Sequence, residues 1–215
     1  IKQRRDMLAR YGMGDKPLWI NELGATAYDF SPEYSRKYSC SELRQATVLT
    51  ANYALSLSED PRMKAFWFCT YDPRDSAHES GWAWDAGIGV LYLGFLPKLS
   101  YAALAGVSYE LDGRECLGRA EIGSPRPADQ DFGLHQVSFA GPVAVVWADH
   151  PERAAQVPAT ELGCLARERL QVRDAFTNPV AEGLAGDLRL DLSHGPLYVQ
   201  GSAQMAAAVR VQQCV

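Results

Sequence analysis

Two short apolar runs separated by an amphipathic stretch dominate the first half of the chain. Residues 18–20 and 65–69 are too short for helices and rich in β-forming side chains, so they predict two buried strands. Between them, apolar residues recur at helical spacing from Ser41, which resembles an N-cap, to about Ser58. A strand, a helix and a strand at this spacing predict a βαβ unit with parallel strands.

Helical spacing also occurs on both sides of this unit. The first eleven residues are typical of the end of a helix that Gly12 terminates. Pro97 opens a second helical pattern that ends near Gly113. Because the chain starts at Ile1 and inside a helical pattern, we expect it to be a fragment of a longer polypeptide.

From about residue 114 the pattern changes to short apolar runs separated by Gly, Pro, Asp and Asn. Short strands with regular turn signals predict an antiparallel sandwich or a piece of a barrel. The candidate strands are residues 134–139, 143–147, 170–172, 188–192, 197–199 and 206–211. Residues 188–192 alternate strictly, which predicts one buried and one exposed face. Residues 174–179 are typical of a turn between strands.

Composition argues against several classes of partner. The 215 residues are 47% hydrophobic and 22% charged, as in globular proteins. A net charge of -5 without a long basic run argues against nucleic acid and anionic membrane surfaces as partners. No apolar run approaches the roughly 20 residues that a membrane span needs. The five cysteines show neither CxxC nor Cys/His ligand spacing, so we expect no structural zinc site. We expect no cofactor either.

Glu22, at the end of the first predicted strand, is the main candidate for chemistry. Interior positions of a buried parallel strand are apolar, whereas β/α-barrel enzymes place catalytic side chains at the carboxyl ends of their strands. The position of Glu22 therefore favours a catalytic carboxylate. A loop acid or the cap of the next element would also account for this residue.

Aromatic and polar residues near the end of the second predicted strand form a candidate binding surface on the same side of the sheet as Glu22. They are Trp67, Tyr71, Asp72, Trp82 and Trp84. Indole rings beside carboxylates suit a sugar, because its C–H faces stack on the rings while its hydroxyls bond to the polar groups. Packing in a hydrophobic core would explain the paired tryptophans as well.

The order of these motifs resembles the carboxyl-terminal part of a clan A glycoside hydrolase, a (β/α)8 barrel followed by a small β-sandwich. Residues 10–25 (RYGMGDKPLWINELGA) resemble barrel strand seven, and residues 65–73 (AFWFCTYDP) resemble strand eight with its substrate-facing tryptophan. Residues 89–107 (GVLYLGFLPKLSYAALAGV) resemble the start of the last barrel helix. Residues 172–179 (VRDAFTNP) and 186–201 (GDLRLDLSHGPLYVQG) resemble the final strands of the sandwich.

The resemblance implies an α/β plus all-β fold, with residues 1–112 as part of a TIM barrel and residues 113–215 as a small antiparallel β-sandwich domain. It implies that Glu22 is the nucleophile of a retaining O-glycosidase and that Trp67 forms the floor of a sugar subsite. Asn21, where the family commonly has threonine, is a further substrate-binding candidate. The acid/base glutamate of the family lies upstream on strand four, so the fragment alone is expected to be inactive.

The resemblance further implies an oligosaccharide or polysaccharide substrate and an extracellular or periplasmic location. It also implies that the missing barrel strands belong to the same parent polypeptide. One alternative is a carbohydrate-binding or structural β-sandwich module without catalysis, which should carry an aromatic platform on its sandwich face. That half of the sequence contains few aromatic residues, several of them in apolar runs. A generic α+β scaffold is the remaining alternative.

Overall fold

A computed structural model describes residues 2–27, 40–60, 62–72, 87–122, 133–149 and 156–201. Three α-helices lie in these ranges: α1 (Lys2–Arg10), α2 (Glu42–Glu59) and α3 (Leu99–Leu111). Ten strands lie in the same ranges: β1 (Trp19–Leu23), β2 (Lys64–Trp67), β3 (Cys116–Glu121), β4 (Leu134–Phe139), β5 (Val143–Ala148), β6 (Gln156–Pro158), β7 (Arg169–Asp174), β8 (Pro179–Leu184), β9 (Arg189–Asp191) and β10 (Leu197–Gln200). Two short 3-10 helices, Ala159–Leu162 and Leu192–His194, complete the described elements.

The first half contains the predicted βαβ unit. Strands β1 and β2 pair in parallel, with Ile20 opposite Ala65 and Leu23 opposite Trp67, and α2 connects them. The register shifts between Ile20 and Leu23, so two residues of β1 lie at an irregular point of the ladder. The predicted parallel pair and its connecting helix are confirmed.

Local signals in the sequence determine the ends of the helices. The hydroxyl of Ser41 accepts a hydrogen bond from the N–H of Arg44 at 3.1 Å, which caps α2 as predicted. Gly12 adopts the left-handed conformation (φ 72°) just beyond α1. Helix α3 begins two residues after Pro97, with Lys98 at its N-cap position. None of the described helices has the length and apolar character that a membrane span requires.

The second half contains a six-stranded antiparallel sheet in the order β3-β4-β5-β10-β7-β8 and a separate antiparallel pair, β6 and β9. Five of the six candidate strands are confirmed, and residues 206–211 lie outside the described residues. Strands β3, β6 and β8 were missed. Strands β3 and β8 form the two edges of the large sheet, where a strand needs less apolar character, and glycine, alanine and charged residues obscure their pattern.

Each face of the large sheet is covered by a hydrophobic cluster. In β5, Ala144 and Val146 join a cluster with β6, β9 and the 3-10 helices, whereas Val145 and Trp147 join a second cluster with α2 and α3. The sheet therefore lies between the helices and the small strand pair. The second cluster contains residues from both sides of the expected boundary at residue 112, and the division into two domains stays a prediction.

An ion pair with a buried carboxylate joins α3 to the large sheet. Glu110 of α3 is fully buried, and its carboxylate accepts hydrogen bonds from Arg173 of β7 at 2.9 Å and Gln200 of β10 at 3.1 Å. A buried carboxylate is stable only when it has such donors. Because α3 follows directly from the segments beside β2, this contact connects the βαβ unit to the sheet.

Candidate functional site

Glu22 lies within β1, one residue before its end, and its side chain is exposed. It was expected at the end of the strand, and β1 extends one residue further, through Leu23, with a register shift between Ile20 and Leu23. Within the described part of the chain, no hydrogen bond or ion pair engages the Glu22 carboxylate. The cap of the next described helix is Ser41. Residues 28–39 lie outside the described residues, so the capping alternative for Glu22 stays a prediction.

The chain that follows β1 packs tightly against the segments around β2. A Cβ atom on Gly24 would lie 2.6 Å from Ile88 Cδ1 and 3.1 Å from the carbonyl oxygen of Phe68. Three residues later, the N–H of Ala27 donates to the carbonyl of Gly87 at 3.0 Å. Any side chain at position 24 would displace Ile88 and crowd the Phe68 carbonyl, so glycine favours the close approach of these segments.

Gln45 forms hydrogen bonds with the segment after β1, with the segment around residue 87 and with α3. Its side chain is fully buried in α2, and its amide nitrogen donates to the carbonyls of Ala25 at 2.7 Å and Gly87 at 3.0 Å. Its amide oxygen accepts a hydrogen bond from the hydroxyl of Ser100 at 2.8 Å. One side chain thus fixes the segment after β1, the segment around residue 87 and the start of α3 relative to one another. The structural role of Gln45 was not predicted, because a single polar residue in a helical pattern gives no sign that it is buried.

Asp72 is also buried, although it was expected at a subsite wall. Its carboxylate accepts hydrogen bonds from the Lys98 ammonium at 2.8 Å and from the N–H of Gly89 at 2.9 Å. Burial raises the pKa of Asp72, and the Lys98 ammonium partly opposes this shift. Lys98 also donates to the carbonyl of Gly87 at 2.9 Å. The pair holds residues 87–89 in place, and the expected contact of Asp72 with a sugar stays a prediction.

Trp67 lies opposite Leu23 and therefore close to Glu22 along the sheet, but its ring is half-buried. The indole N–H donates to the carbonyl of Ile88 at 2.9 Å, and the ring packs against the cluster that α2 and α3 share. This orientation places the ring on the helix side of the two-stranded sheet. The floor of a sugar subsite, predicted for Trp67, stays a prediction.

The opposite face of the two-stranded sheet carries exposed aromatic residues. Trp19 is 65% exposed and Phe66 47%, and their ring centroids lie 5.9 Å apart. Asn21 is exposed as well, at the irregular point of β1. The exposed residue pair Trp19 and Phe66 was missed, because both residues stand in runs that predict buried strands. An exposed aromatic pair of this kind marks a contact surface.

Tyr71 is the remaining described candidate, and a second aromatic residue accompanies it. Tyr71 is 46% exposed, and its ring centroid lies 5.6 Å from that of Phe95. Phe95 was not predicted, although an apolar residue within a glycine-containing turn was a usable signal. Trp82 and Trp84 lie outside the described residues. In the described ranges, no three His, Cys, Asp or Glu side chains come together as a metal site would require.

Comparison with known proteins identifies a likeness of fold. The sequence matches no family model and no curated protein. The structure is similar to that of a family 39 glycoside hydrolase from the gut symbiont Bacteroides cellulosilyticus WH2, with a TM-score of 0.60 and 20% sequence identity. The match covers 86% of this chain and 33% of the other, so the chain spans about a third of the length of that protein.

Proposed function

We propose that this chain supplies the nucleophile side of a retaining glycosidase active site, with Glu22 as the nucleophile. One observation carries the proposal: an exposed carboxylate stands at the carboxyl end of a parallel strand pair, in a fold similar to part of a glycoside hydrolase. Catalytic carboxylates of barrel enzymes occupy this end of the strands. The substrate is an oligosaccharide or polysaccharide.

In this proposal, β1, α2, β2 and α3 are the last two βα units of a (β/α)8 barrel. A two-stranded sheet is marginal by itself, and closure into a barrel would pair its free edges. The exposed residues Trp19 and Phe66 support this arrangement, since further barrel strands of the parent polypeptide would cover them. The neighbour's remaining two thirds of chain leave room for such strands.

The chemistry requires two carboxyl groups about 5 to 5.5 Å apart. A Glu22 carboxylate oxygen bonds to the anomeric carbon while the glycosidic C–O bond breaks, and an acid protonates the leaving oxygen. Water then hydrolyses the glycosyl–Glu22 ester, and the same second group removes a proton from that water. The acid/base group would come from the parent polypeptide, so we expect the chain alone to be inactive. The residues proposed to contact the sugar are Trp67, Tyr71, Asp72, Asn21, Trp82 and Trp84.

Turnover of aryl glycosides by the full-length gene product, before and after Glu22→Gln, tests the assignment. We expect Glu22→Gln to reduce kcat by about a thousandfold or more while glycan binding is retained, because only the attacking oxygen is lost. Glu161→Gln, at an exposed carboxylate in the second half, is the matched control and should leave kcat unchanged. Full turnover in Glu22→Gln would contradict the proposal.

The binding-module alternative requires an aromatic platform on the sandwich face. In the described part of the second half, Phe139, Trp147 and Tyr198 are instead buried in the cluster beneath α2 and α3. These rings support the core and are closed to a glycan. The observation favours the hydrolase proposal over a binding module of this kind.

A further inference from the structure

The turn that precedes α3 presents apolar side chains to solvent. Residues 92–96, called here the aromatic turn, are closed by hydrogen bonds from the N–H of Tyr92 to the carbonyl of Leu96 (2.9 Å) and from the N–H of Phe95 to the carbonyl of Tyr92 (2.8 Å). Isolated β-bridges join Leu91 to Tyr71 and to Pro97. The aromatic turn is therefore fixed to the segment that follows β2.

Two neighbouring rings, that of Phe95 in the aromatic turn and that of Tyr71 after β2, are highly accessible to solvent. Phe95 is 68% exposed and Tyr71 46%, and their planes are tilted by 46° at a centroid distance of 5.6 Å. The aromatic turn also contains Tyr92, whose hydroxyl donates a hydrogen bond to the carboxylate of Glu42. The other carboxylate oxygen of Glu42 accepts a hydrogen bond from the N–H of Leu99 at 3.0 Å, so these polar groups hold the aromatic turn against the start of α3 beside the two open rings.

Phe95 holds this position in an unfavourable backbone conformation. Its φ is 62°, in the left-handed region that suits glycine and is disfavoured for a bulky residue. Within the described residues, the one ring contact that Phe95 makes is with Tyr71. Because the ring is 68% exposed, folding gains little from a phenyl group at this position. The strain points to a ligand that binds the ring.

We propose that Tyr71 and Phe95 form a stacking platform for a carbohydrate chain. Aromatic faces bind the C–H faces of sugars, and hydroxyl and carboxylate groups beside them bind sugar hydroxyls. The nearby cation, Lys98, is buried and paired with Asp72, which leaves no exposed positive charge on the described residues of the platform for an anionic ligand. Tyr71 follows β2 at the same end of the sheet as Glu22. The choice of a glycan as the ligand rests on the proposed function, whereas the exposed ring pair does not.

The test is binding of soluble xylan, mannan, β-glucan and galactan to the full 215-residue chain, by affinity electrophoresis and titration calorimetry. We expect one of these polysaccharides to bind and Phe95→Ala and Tyr71→Ala each to weaken binding about tenfold. Tyr101→Ala, which removes a ring that is 48% exposed on α3, is the matched control and should bind like the parent chain. Phe95→Gly should weaken polysaccharide binding as much as Phe95→Ala does. It should also raise the Tm of the chain, because glycine adopts the left-handed conformation without strain.

Several results would overturn the platform. They are an absence of binding across all four polysaccharides, unchanged affinity in Phe95→Ala, and self-association of the chain that Phe95→Ala abolishes. The last result would assign the rings to a protein contact. Loss of binding in Phe95→Ala together with full turnover of Glu22→Gln in the full-length product would keep the platform and reject the nucleophile, so the two failures are distinguishable.

Discussion

At the scale of single residues, buried polar side chains fix the geometry around the candidate site. Gln45, Asp72 and Lys98 have little or no exposure, and their hydrogen bonds meet on the backbone of residues 87–89. Because a buried polar group without a partner is costly, the loss of one of these hydrogen bonds would destabilise the packing that supports the others. The two strand ends that carry Glu22 and Tyr71 are thereby held at a constant spacing.

Gln45→Ala should lower the free energy of unfolding by about 2 to 4 kcal/mol, because it removes the side-chain donor to the carbonyl of Ala25 and the buried acceptor of the Ser100 hydroxyl. Ser100→Ala removes one hydrogen bond to the same amide and should cost about 1 kcal/mol. Urea denaturation measures both values. A Gln45→Ala chain as stable as Ser100→Ala would show that water replaces the lost contacts.

Asp60 should make stability depend on pH. Burial opposes ionisation of its carboxyl, but hydrogen bonds from Arg62 and Arg5, with the charge of Arg5, outweigh burial and hold the pKa at about 2. The pKa in the folded chain is thus below its unfolded value. The contribution is complete above roughly pH 4 and is lost as the pH falls through about 2.

Asp60→Asn should therefore destabilise the chain at pH 7, and the difference from the parent chain should shrink as the pH approaches 2. Denaturant titrations at several pH values measure it, with Asp187→Asn, at an exposed carboxylate, as the control. A difference that does not vary with pH would mean that the ion pairs contribute nothing to stability.

At the scale of secondary-structure elements, α3 joins the two halves of the molecule. Its apolar residues Ala103, Val107 and Leu111 belong to the cluster beneath the large sheet, and Glu110 contacts β7 and β10. Its amino-terminal end contacts Gln45 of α2 through Ser100. Movement of α3 relative to the sheet would consequently displace the residues around the candidate site.

Glu110→Ala should destabilise the chain by about 3 kcal/mol, because the partly buried Arg173 guanidinium loses its carboxylate. The double variant Glu110→Met with Arg173→Met should cost less than the single change, since no charge remains buried. Thermal and urea unfolding compare them. A double variant that is less stable than Glu110→Ala would show that the ion pair itself stabilises the interface.

At the scale of the whole molecule, the two-stranded sheet and the large sheet differ in how far their described faces are covered. Trp19 and Phe66 lie side by side in solvent, whereas the large sheet is covered on both faces. Exposed apolar surface next to unpaired strand edges promotes aggregation. The proposed barrel strands would remove this surface from solvent.

Trp19→Ser with Phe66→Ser should reduce aggregation of the 215-residue chain, because it removes exposed apolar area. The same pair of substitutions should lower the Tm of the full-length gene product, in which barrel strands would bury both rings. Light scattering and thermal unfolding measure the two effects. Val180→Ser, at a single exposed apolar residue of β8, is the control. Unchanged stability of the full-length product would contradict the barrel arrangement.

The sequence alone determined the elements whose signals are local. The periodicity of α2 and α3, the cap at Ser41 and the apolar runs of β1 and β2 depend on residues within a few positions of one another, so they could be predicted. Glu22 was a candidate catalytic residue because it stands at the end of an apolar run.

Only the tertiary structure decided what the other candidates touch. The buried carboxylate of Asp72 is paired with Lys98, which lies 26 residues further along the chain. Tyr71 contacts the ring of Phe95, which lies in a turn without helical or strand periodicity. The edge strands β3 and β8 have weak local patterns, and their pairing with β4 and β7 in the sheet identifies them as strands. Side-chain burial and pairing depend on long-range packing, which the pattern of single residues does not encode.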